Sequence, residues 1–346
     1  MTFHTDTAYQ ALLPHFHERV RPEEPLARHS TFGVGGPADL WVVVETRNEL
    51  IGLVTMCAER HWPLLILGNG SNSLFADAGV RGIVARVAFS SYQLEQEGPQ
   101  SALLIADAGV NWPRLTYELT KQGWGGLTFG VGIPGTLGGA LVSNAGAHNH
   151  EIGEVVEWIE ILDARGADES LQEFSLPLIR RYQHDELDLS YRSSRFRAQR
   201  RVRFDDAGHA RAASRQLIEP PEMILQLGLH VMRTEPGRLS SLLATYKQER
   251  ERSEPAHPRR GSVFQDASEE QASLLLAQVG MAGKTMGQAQ MARDNPNYLL
   301  NLGGARASDM MALIEEAHHR VLERFGLDLQ LDVALLGEWE PRGEQP

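Results

Sequence analysis

The sequence predicts a mixed helix-and-strand protein of two or three domains that opens on α/β units, and three observations point there. The chain has 346 residues, more than one hydrophobic core usually serves, since single cores stop growing at roughly 250–300 residues. From residue 40 to residue 146, short apolar runs alternate with helical patterns and glycine-rich turns, as in packed strand–helix units. From Pro236 the character changes to a charged helix, a short strand and a terminal amphipathic helix, which marks a further unit. Hydrophobic residues make up 42% of the chain, enough buried surface to offset chain entropy, so a mainly disordered state is excluded.

The elements follow in order. The first 25 residues read as a helical preamble. Leu40-Trp41-Val42-Val43-Val44 is a buried strand. Thr46-Arg47-Asn48-Glu49 is a capping box, in which Thr46 caps the first turn and Glu49 reaches back. The helix that follows has Leu50, Val54, Cys57 and Ala58 on one stripe. Cys57 is therefore a buried structural thiol rather than a nucleophile. Trp62-Pro63 ends this helix, and the strand 64–67 runs into a ligand-facing turn, Gly68-Asn69-Gly70-Ser71-Asn72. A second unit starts with a strand at 103–106. Asn111 caps its helix, Leu115 and Leu119 point inward, and Gly123 lies beyond the end. The segment 125–146 is dense in glycine. Strands are expected at 155–162 and 223–232, with an arginine-rich stretch between them. Residues 239–252 form a charged helix, and 259–264 a loop entering a strand. Ser308 caps a helix with Met311, Ile314, Ala317, Val321 and Phe325 inward and Gly326 at its close. Residues 327–333 alternate strictly, as a strand with leucines on one face and Asp328, Gln330 and Asp332 on the other.

Charge and composition exclude several classes. The net charge is −12, the wrong sign for coating nucleic acid. One local exception is the eight arginines from Arg192 to Arg215, which read as a solvated surface hairpin or a phosphate-binding patch. A single cysteine rules out an internal disulfide framework and a cysteine-rich metal site. The N-terminal residues lack a basic segment followed by an apolar one, so no secretory signal is expected. No apolar run approaches roughly 18 residues, so no membrane span is expected either. The expectation is a soluble, cytoplasmic, monomeric protein.

Gly130-Val131-Gly132-Ile133-Pro134-Gly135 fits G-x-G-x-x-G. No strong strand precedes it and further glycines follow, so it does not support an NAD-type dinucleotide fold. The physical content survives, because glycines admit close backbone approach and successive N–H groups form anion-binding nests. Two such loops, 68–72 and 130–139, suit a large diphosphate ligand gripped from two sides, or are tight turns with no ligand. His148-Asn149-His150, and Glu315 with His319, lack a third metal ligand at sensible spacing and read as surface polar groups. No metal is expected. The absence of a G-x-S-x-G elbow leaves a serine hydrolase without support.

Taken together, seven ordered motifs resemble the UDP-N-acetylenolpyruvoylglucosamine reductase family. They are Ser30-Thr31-Phe32-Gly33-Val34-Gly35-Gly36-Pro37-Ala38-Asp39, Leu67-Gly68-Asn69-Gly70-Ser71-Asn72, Gly132-Ile133-Pro134-Gly135-Thr136-Leu137-Gly138-Gly139, Asn144-Ala145-Gly146-Ala147, Tyr191-Arg192-Ser193-Ser194-Arg195-Phe196, Gly261-Ser262-Val263-Phe264 and Asn297-Tyr298-Leu299-Leu300-Asn301. The resemblance implies a two-subdomain FAD-binding module of the vanillyl-alcohol-oxidase type plus a C-terminal α+β substrate-binding domain. The implied divisions are 1–88, 89–235, 236–326 and a terminal strand and tail, 327–346. The implied reaction is NADPH-dependent, FAD-mediated reduction of UDP-N-acetylglucosamine enolpyruvate to UDP-N-acetylmuramate in peptidoglycan precursor synthesis.

The resemblance also implies roles. Gly68, Asn69, Gly70, Ser71, Asn72, Gly132, Ile133, Pro134, Gly135, Thr136, Gly138, Gly139, Asn144 and Gly146 fall on the FAD-binding motifs. Arg192 matches the Tyr-Arg motif and would stabilise enolate charge. Ser262 matches the Gly-Ser proton donor. The third catalytic position is a glutamate in the family and Asp332 here, one methylene shorter but of similar intrinsic acidity. Leu331 and Ala334 stand where the family has proline and arginine, and Glu338 is the alternative carboxylate. Gln265-Asp266-Ala267 replaces Lys-Asn-Pro. Tyr191, Lys247, Arg250 and Arg252 would contact substrate, the last three at its diphosphate. The absence of a tyrosine-bearing insertion after strand 223–232 resembles the family's shorter subgroup, whereas residues 199–221 are an insertion with no assigned role. A flavin oxidase on the same module, and a homologue that only binds FAD or UDP-sugar, remain the alternatives.

Overall fold

The computed structural model describes residues 3–165, 177–198, 203–205, 208–211, 216–267 and 270–339. Three sheets organise them. The first runs in the order Val20–Pro25, Pro37–Val44, Val80–Val87, Leu64–Leu67, Ile218–Glu219. Its three central strands are parallel, and helix Arg47–Glu59 makes the crossover between Pro37–Val44 and Leu64–Leu67. Thr46 Oγ1 accepts the Glu49 N–H at 3.1 Å. Glu49 reaches one residue further back than a capping box requires, to the Glu45 N–H at 2.8 Å, because Arg19 also holds its carboxylate. Both faces of this sheet are buried. Helices Thr5–Phe16 and Arg47–Glu59 pack on one, while Trp41, Leu65 and Val84 meet Phe75 and Leu336 on the other. That explains the unbroken apolar run at 40–44, as burial on both faces removes the need for alternation. Cys57 is fully buried, and burial pushes its thiol pKa up. The expected helical preamble stops earlier than residue 25, since 20–25 pair with Pro37–Val44 as an edge strand.

The second sheet is antiparallel, in the order Leu178–Gln183, Val156–Asp163, Glu222–Arg233, Ser101–Asp107, Tyr92–Gln96. Asn111 Oδ1 accepts the Arg114 N–H at 3.0 Å and starts helix Trp112–Lys121. Leu162, Ala164, Met223 and Leu225 reach into the core of the first sheet, so the two units share a packed boundary. The third sheet joins Arg260–Ser262, Tyr298–Asn301, Ala289–Met291 and Thr285–Met286. It packs with helices Ala272–Gln278 and Ala307–Phe325, and with Phe32, Val34 and Leu74 from the first unit.

Four expectations need correction. Ser308 is not the cap of the last helix. Arg306 occupies that position, and the Asp77 carboxylate takes the Ala307 and Ser308 N–H groups at 2.8 and 3.0 Å. Residues 327–333 alternate in burial but form no ladder beyond a bridge from Leu331 to Phe264, because only Gln330, Asp332 and Val333, on either side of that bridge, bond to the facing backbone at Gln265 and Val263. The terminal strand is Ala334–Leu336, parallel to Ser73–Phe75. The insertion is not a free surface hairpin. Residues 203–204 pair with 210–211, the Phe204 ring stacks on His318 at 3.6 Å, and 218–219 extend the first sheet. Its residues 199–202, 206–207 and 212–215 lie outside the described set. Finally, His148 is not a surface group, since it stacks on Tyr246 at 3.9 Å and meets Glu249 at 2.8 Å. Among the described residues no cluster of His, Cys, Asp and Glu is placed to hold a metal ion, and no helix is long and apolar enough to cross a membrane.

Candidate active site

One cavity of about 690 Å³ lies where the three units meet. Both glycine loops line it, together with Tyr191, Arg192, Arg250, Ser262 and Asp332. Strand Leu64–Leu67 delivers the first loop, and the turn before helix Leu137–Val142 delivers the second. The Ser71 hydroxyl donates to the Pro134 carbonyl at 3.2 Å and ties them together. Gly135 has φ +122°, and a Cβ there would fall 2.7 Å from Ser71 Oγ. A Cβ on Gly68 would fall 2.7 Å from Thr136 Oγ1. Side chains at these two positions would fill the floor of the groove. Among the described residues, no protein acceptor takes the backbone N–H groups of Asn69, Gly70, Ser71 or Asn72. A run of free donors beside a side-chain-free wall fits the diphosphate of a large nucleotide cofactor.

Arg192 sits in a turn at φ +51°, a conformation disfavoured for a residue with a side chain. Its Nη2 donates to the Gly146 carbonyl at 3.1 Å. The turn is braced from beneath by Asn144, which donates to the Ser190 carbonyl at 3.0 Å and to Glu151 at 2.7 Å. Asn144 is buried and does not line the cavity. Gly138 also lies behind the wall, where a Cβ would meet Ala108 Cβ at 2.7 Å. Tyr191 is exposed on the rim, its hydroxyl 3.4 Å from Asp266. Partial burial, then the Asp266 charge, push that hydroxyl's pKa up.

Ser262 ends the strand Arg260–Ser262 and pairs with Tyr298. Beyond it, the Asp332 N–H donates to the Val263 carbonyl at 2.7 Å, and the Gln265 N–H donates to Gln330 at 2.9 Å. Asn72 Nδ2 donates to the Asp332 carbonyl at 2.7 Å. Arg197 Nη1 donates to Asp332 Oδ1 at 2.9 Å. Asp332 therefore touches the first glycine loop, the serine strand and the segment that follows Arg192. Glu338 is exposed beside Gly79 and is absent from the cavity lining.

Of the three cations expected on helix Pro236–Ser253, Arg250 lines the cavity, whereas Lys247 and Arg252 point to solvent. Arg250 and Arg260 bracket the carboxylate of Glu254. Burial, with Glu254 beside it, raises the Tyr298 hydroxyl's pKa, so it stays protonated. Sequence reasoning missed Arg197, Glu254, Arg260 and the side chain of Tyr298 as lining groups. The arginine-rich stretch was a signal for Arg197, but nothing local marked Glu254.

Fold and site together define an FAD-dependent oxidoreductase. A family described as FAD binding domain matches residues 38–169, across strands of the first two sheets, and one described as UDP-N-acetylenolpyruvoylglucosamine reductase, C-terminal domain matches residues 253–336. A UDP-N-acetylenolpyruvoylglucosamine reductase of Heliobacterium modesticaldum is 32% identical over 320 residues, 91% of this chain and 90% of that one. A UDP-N-acetylenolpyruvoylglucosamine reductase 2 of Symbiobacterium thermophilum is 32% identical over 326 residues, covering 93% and 94%. The crystal structure of the reductase from Thermus caldophilus aligns with TM-score 0.69 at 28% identity, covering 92% of this chain and 98% of that one. The chain belongs to the UDP-N-acetylenolpyruvoylglucosamine reductase family.

Proposed function

We propose that this chain reduces UDP-N-acetylglucosamine enolpyruvate to UDP-N-acetylmuramate, with Arg192, Ser262 and Asp332 as its catalytic residues. The observation that carries the reading is the single cavity in which both glycine loops meet those three side chains. FAD, when bound, would supply the hydride chemistry, with NADPH as the donor. The residues hold and charge the rest. The free N–H groups of 69–72 and the Gly135 wall would hold the cofactor diphosphate, with Gly132, Ile133, Pro134, Thr136, Gly139 and Gly146 lining the same cavity. Arg250 and Arg260 give the cavity positive charge near the substrate diphosphate, and Tyr191 covers its rim.

Hydride addition drives negative charge from the alkene toward the adjacent carboxylate, as an enolate. The Arg192 guanidinium, fixed by its strained turn and by Gly146, stabilises that charge as it develops. The second alkene carbon then takes a proton from the Ser262 hydroxyl, and the proton is replaced from solvent. Asp332, whose N–H donates to the Val263 carbonyl next to Ser262, supplies the carboxylate of the third catalytic position. The balance is one hydride and one proton added, two C–H bonds formed, one C=C π bond lost and NADP⁺ released. The reading places the enzyme as a monomer in the cytoplasm, where NADPH is supplied.

The test is an anaerobic spectral titration. The purified protein should be yellow, bleach with NADPH and recolour on adding the enolpyruvyl UDP-sugar. Bleaching without recolouring would favour a flavin oxidase or a drifted homologue. A colourless protein that takes up no FAD would overturn the reading of both glycine loops.

A further inference from the structure

We propose that Arg197 is a positioning residue that sets the Asp332 carboxylate for the reduction, a role that presupposes the assignment of Asp332 made above. Arg197 lies on the short helix Arg195–Ala198, five positions after Arg192. Its Nη1 donates to Asp332 Oδ1 at 2.9 Å, and its Nη2 donates to the carbonyls of Leu331 at 3.0 Å and Asp332 at 2.8 Å. One planar fork therefore holds the carboxyl group and the backbone beneath it together. Both side chains are only 15% exposed, so the pair is little screened by water and its geometry is constrained. The remaining backbone groups of Asp332 are also taken, its N–H by Val263 and its carbonyl by Asn72 as well.

Aspartate has few ways to point its carboxyl group once its backbone is pinned. The side chain has two rotatable bonds, and an arginine on one oxygen selects among them. Arg197 itself lines the cavity, so its grip on Asp332 is at the site rather than behind it. The stretch 192–197, which runs one residue past the Tyr-Arg motif, thus supplies two cavity-lining guanidiniums with separate tasks, Arg192 toward the substrate and Arg197 toward the carboxylate, while Arg195 pairs with Glu222. Lysine could not reproduce this contact, because a point charge with three rotating donors does not span a carboxylate and two carbonyls in one plane.

The experiment follows the two half-reactions separately by anaerobic stopped flow on the FAD-loaded enzyme. It uses R197Q, R197K, D332N and the double variant R197Q/D332N, each checked for flavin content and melting temperature. R197Q should slow recolouring by the enolpyruvyl UDP-sugar, by up to about 10²-fold if the carboxylate is misplaced. Bleaching by NADPH should stay within about twofold of the parent. R197K should fall between the two. In the D332N background, R197Q should add less than about twofold, since neighbours acting as one unit are not additive. If R197Q does not hold FAD, the R197K and R197K/D332N pair replaces it in the same cycle. Equal slowing of both half-reactions, or a full R197Q effect on top of D332N, would overturn the positioning role. D332N recolouring at the parent rate would instead sink the Asp332 assignment, and a parent enzyme that the substrate never recolours would sink the proposed function.

Discussion

Asn72 Nδ2 donates to the Asp332 carbonyl at 2.7 Å, joining the first glycine loop to the C-terminal segment across 260 positions of chain. The Ala334 N–H returns the contact to the Asn72 carbonyl at 3.0 Å. The first glycine loop and the backbone of Asp332 and Ala334 are therefore tied together. Asn72→Ala removes the side-chain half of it, worth about 1 kcal/mol by the usual scale of such bonds. The expected outcome is a lower FAD content after dialysis together with a reduced kcat, and loss of only one of the two would separate loop from carboxylate.

Ser262→Ala keeps the strand and its pairing with Tyr298, but removes the proposed proton donor. General acid catalysis contributes about 10²–10⁴-fold. Recolouring by substrate should fall by that order while bleaching by NADPH is unchanged. A loss confined to the NADPH step would mean Ser262 has another task.

Gly135→Ala places a methyl group 2.7 Å from Ser71 Oγ at φ +122°. Backbone strain of this kind costs about 1–3 kcal/mol, and here it also pushes the two loops apart. Flavin stoichiometry after purification should drop sharply, with little change in the far-ultraviolet circular dichroism.

Asp77 gives a pH-dependent test of how the third unit is attached. Burial disfavours its charge, but the Ser308 and Ala307 N–H groups and the Arg306 guanidinium outweigh that and hold its pKa below the ordinary 3.8. A carboxylate depressed in the folded state stabilises fully above its unfolded pKa and loses that effect as pH falls through the folded one. Asp77→Ala should cost about 1 kcal/mol at neutral pH, as capping losses do. The melting-temperature gap between parent and variant should close as the buffer is taken below that carboxylate range.

Leu74→Ala probes the same junction from the core side. Leu74 is fully buried in the cluster of the third sheet although it sits just after the glycine loop. A leucine truncated in a packed core costs about 2–5 kcal/mol, and thermal melting should report it together with weaker FAD retention.

Much of this was legible locally. The buried run 40–44, the Thr46 and Asn111 caps and the stripes of both main helices followed from spacing alone. The glycine loops were visible as composition, and their ordered company with Arg192 and Ser262 pointed to the reductase family. The alternation at 327–333 correctly separated Leu329 and Leu331 from Asp328 and Gln330, yet it suggested a strand that does not exist. Periodicity reports which side of a segment is buried, not whether another backbone lies alongside.

Amino-acid order alone settles the local conformations and the faces to be buried, because these depend on neighbours within a few residues. It also nominates the side chains proposed here for the chemistry. The folded chain decides the partners. Asp77 caps a helix 230 positions away, Ala334–Leu336 lies along Ser73–Phe75, and Arg197 takes the carboxylate of Asp332. Each of these joins segments whose sequences carry no mark of one another. They meet because three cores close on a common cavity, and only that closure brings the glycine loops, the serine strand and the terminal aspartate within reach.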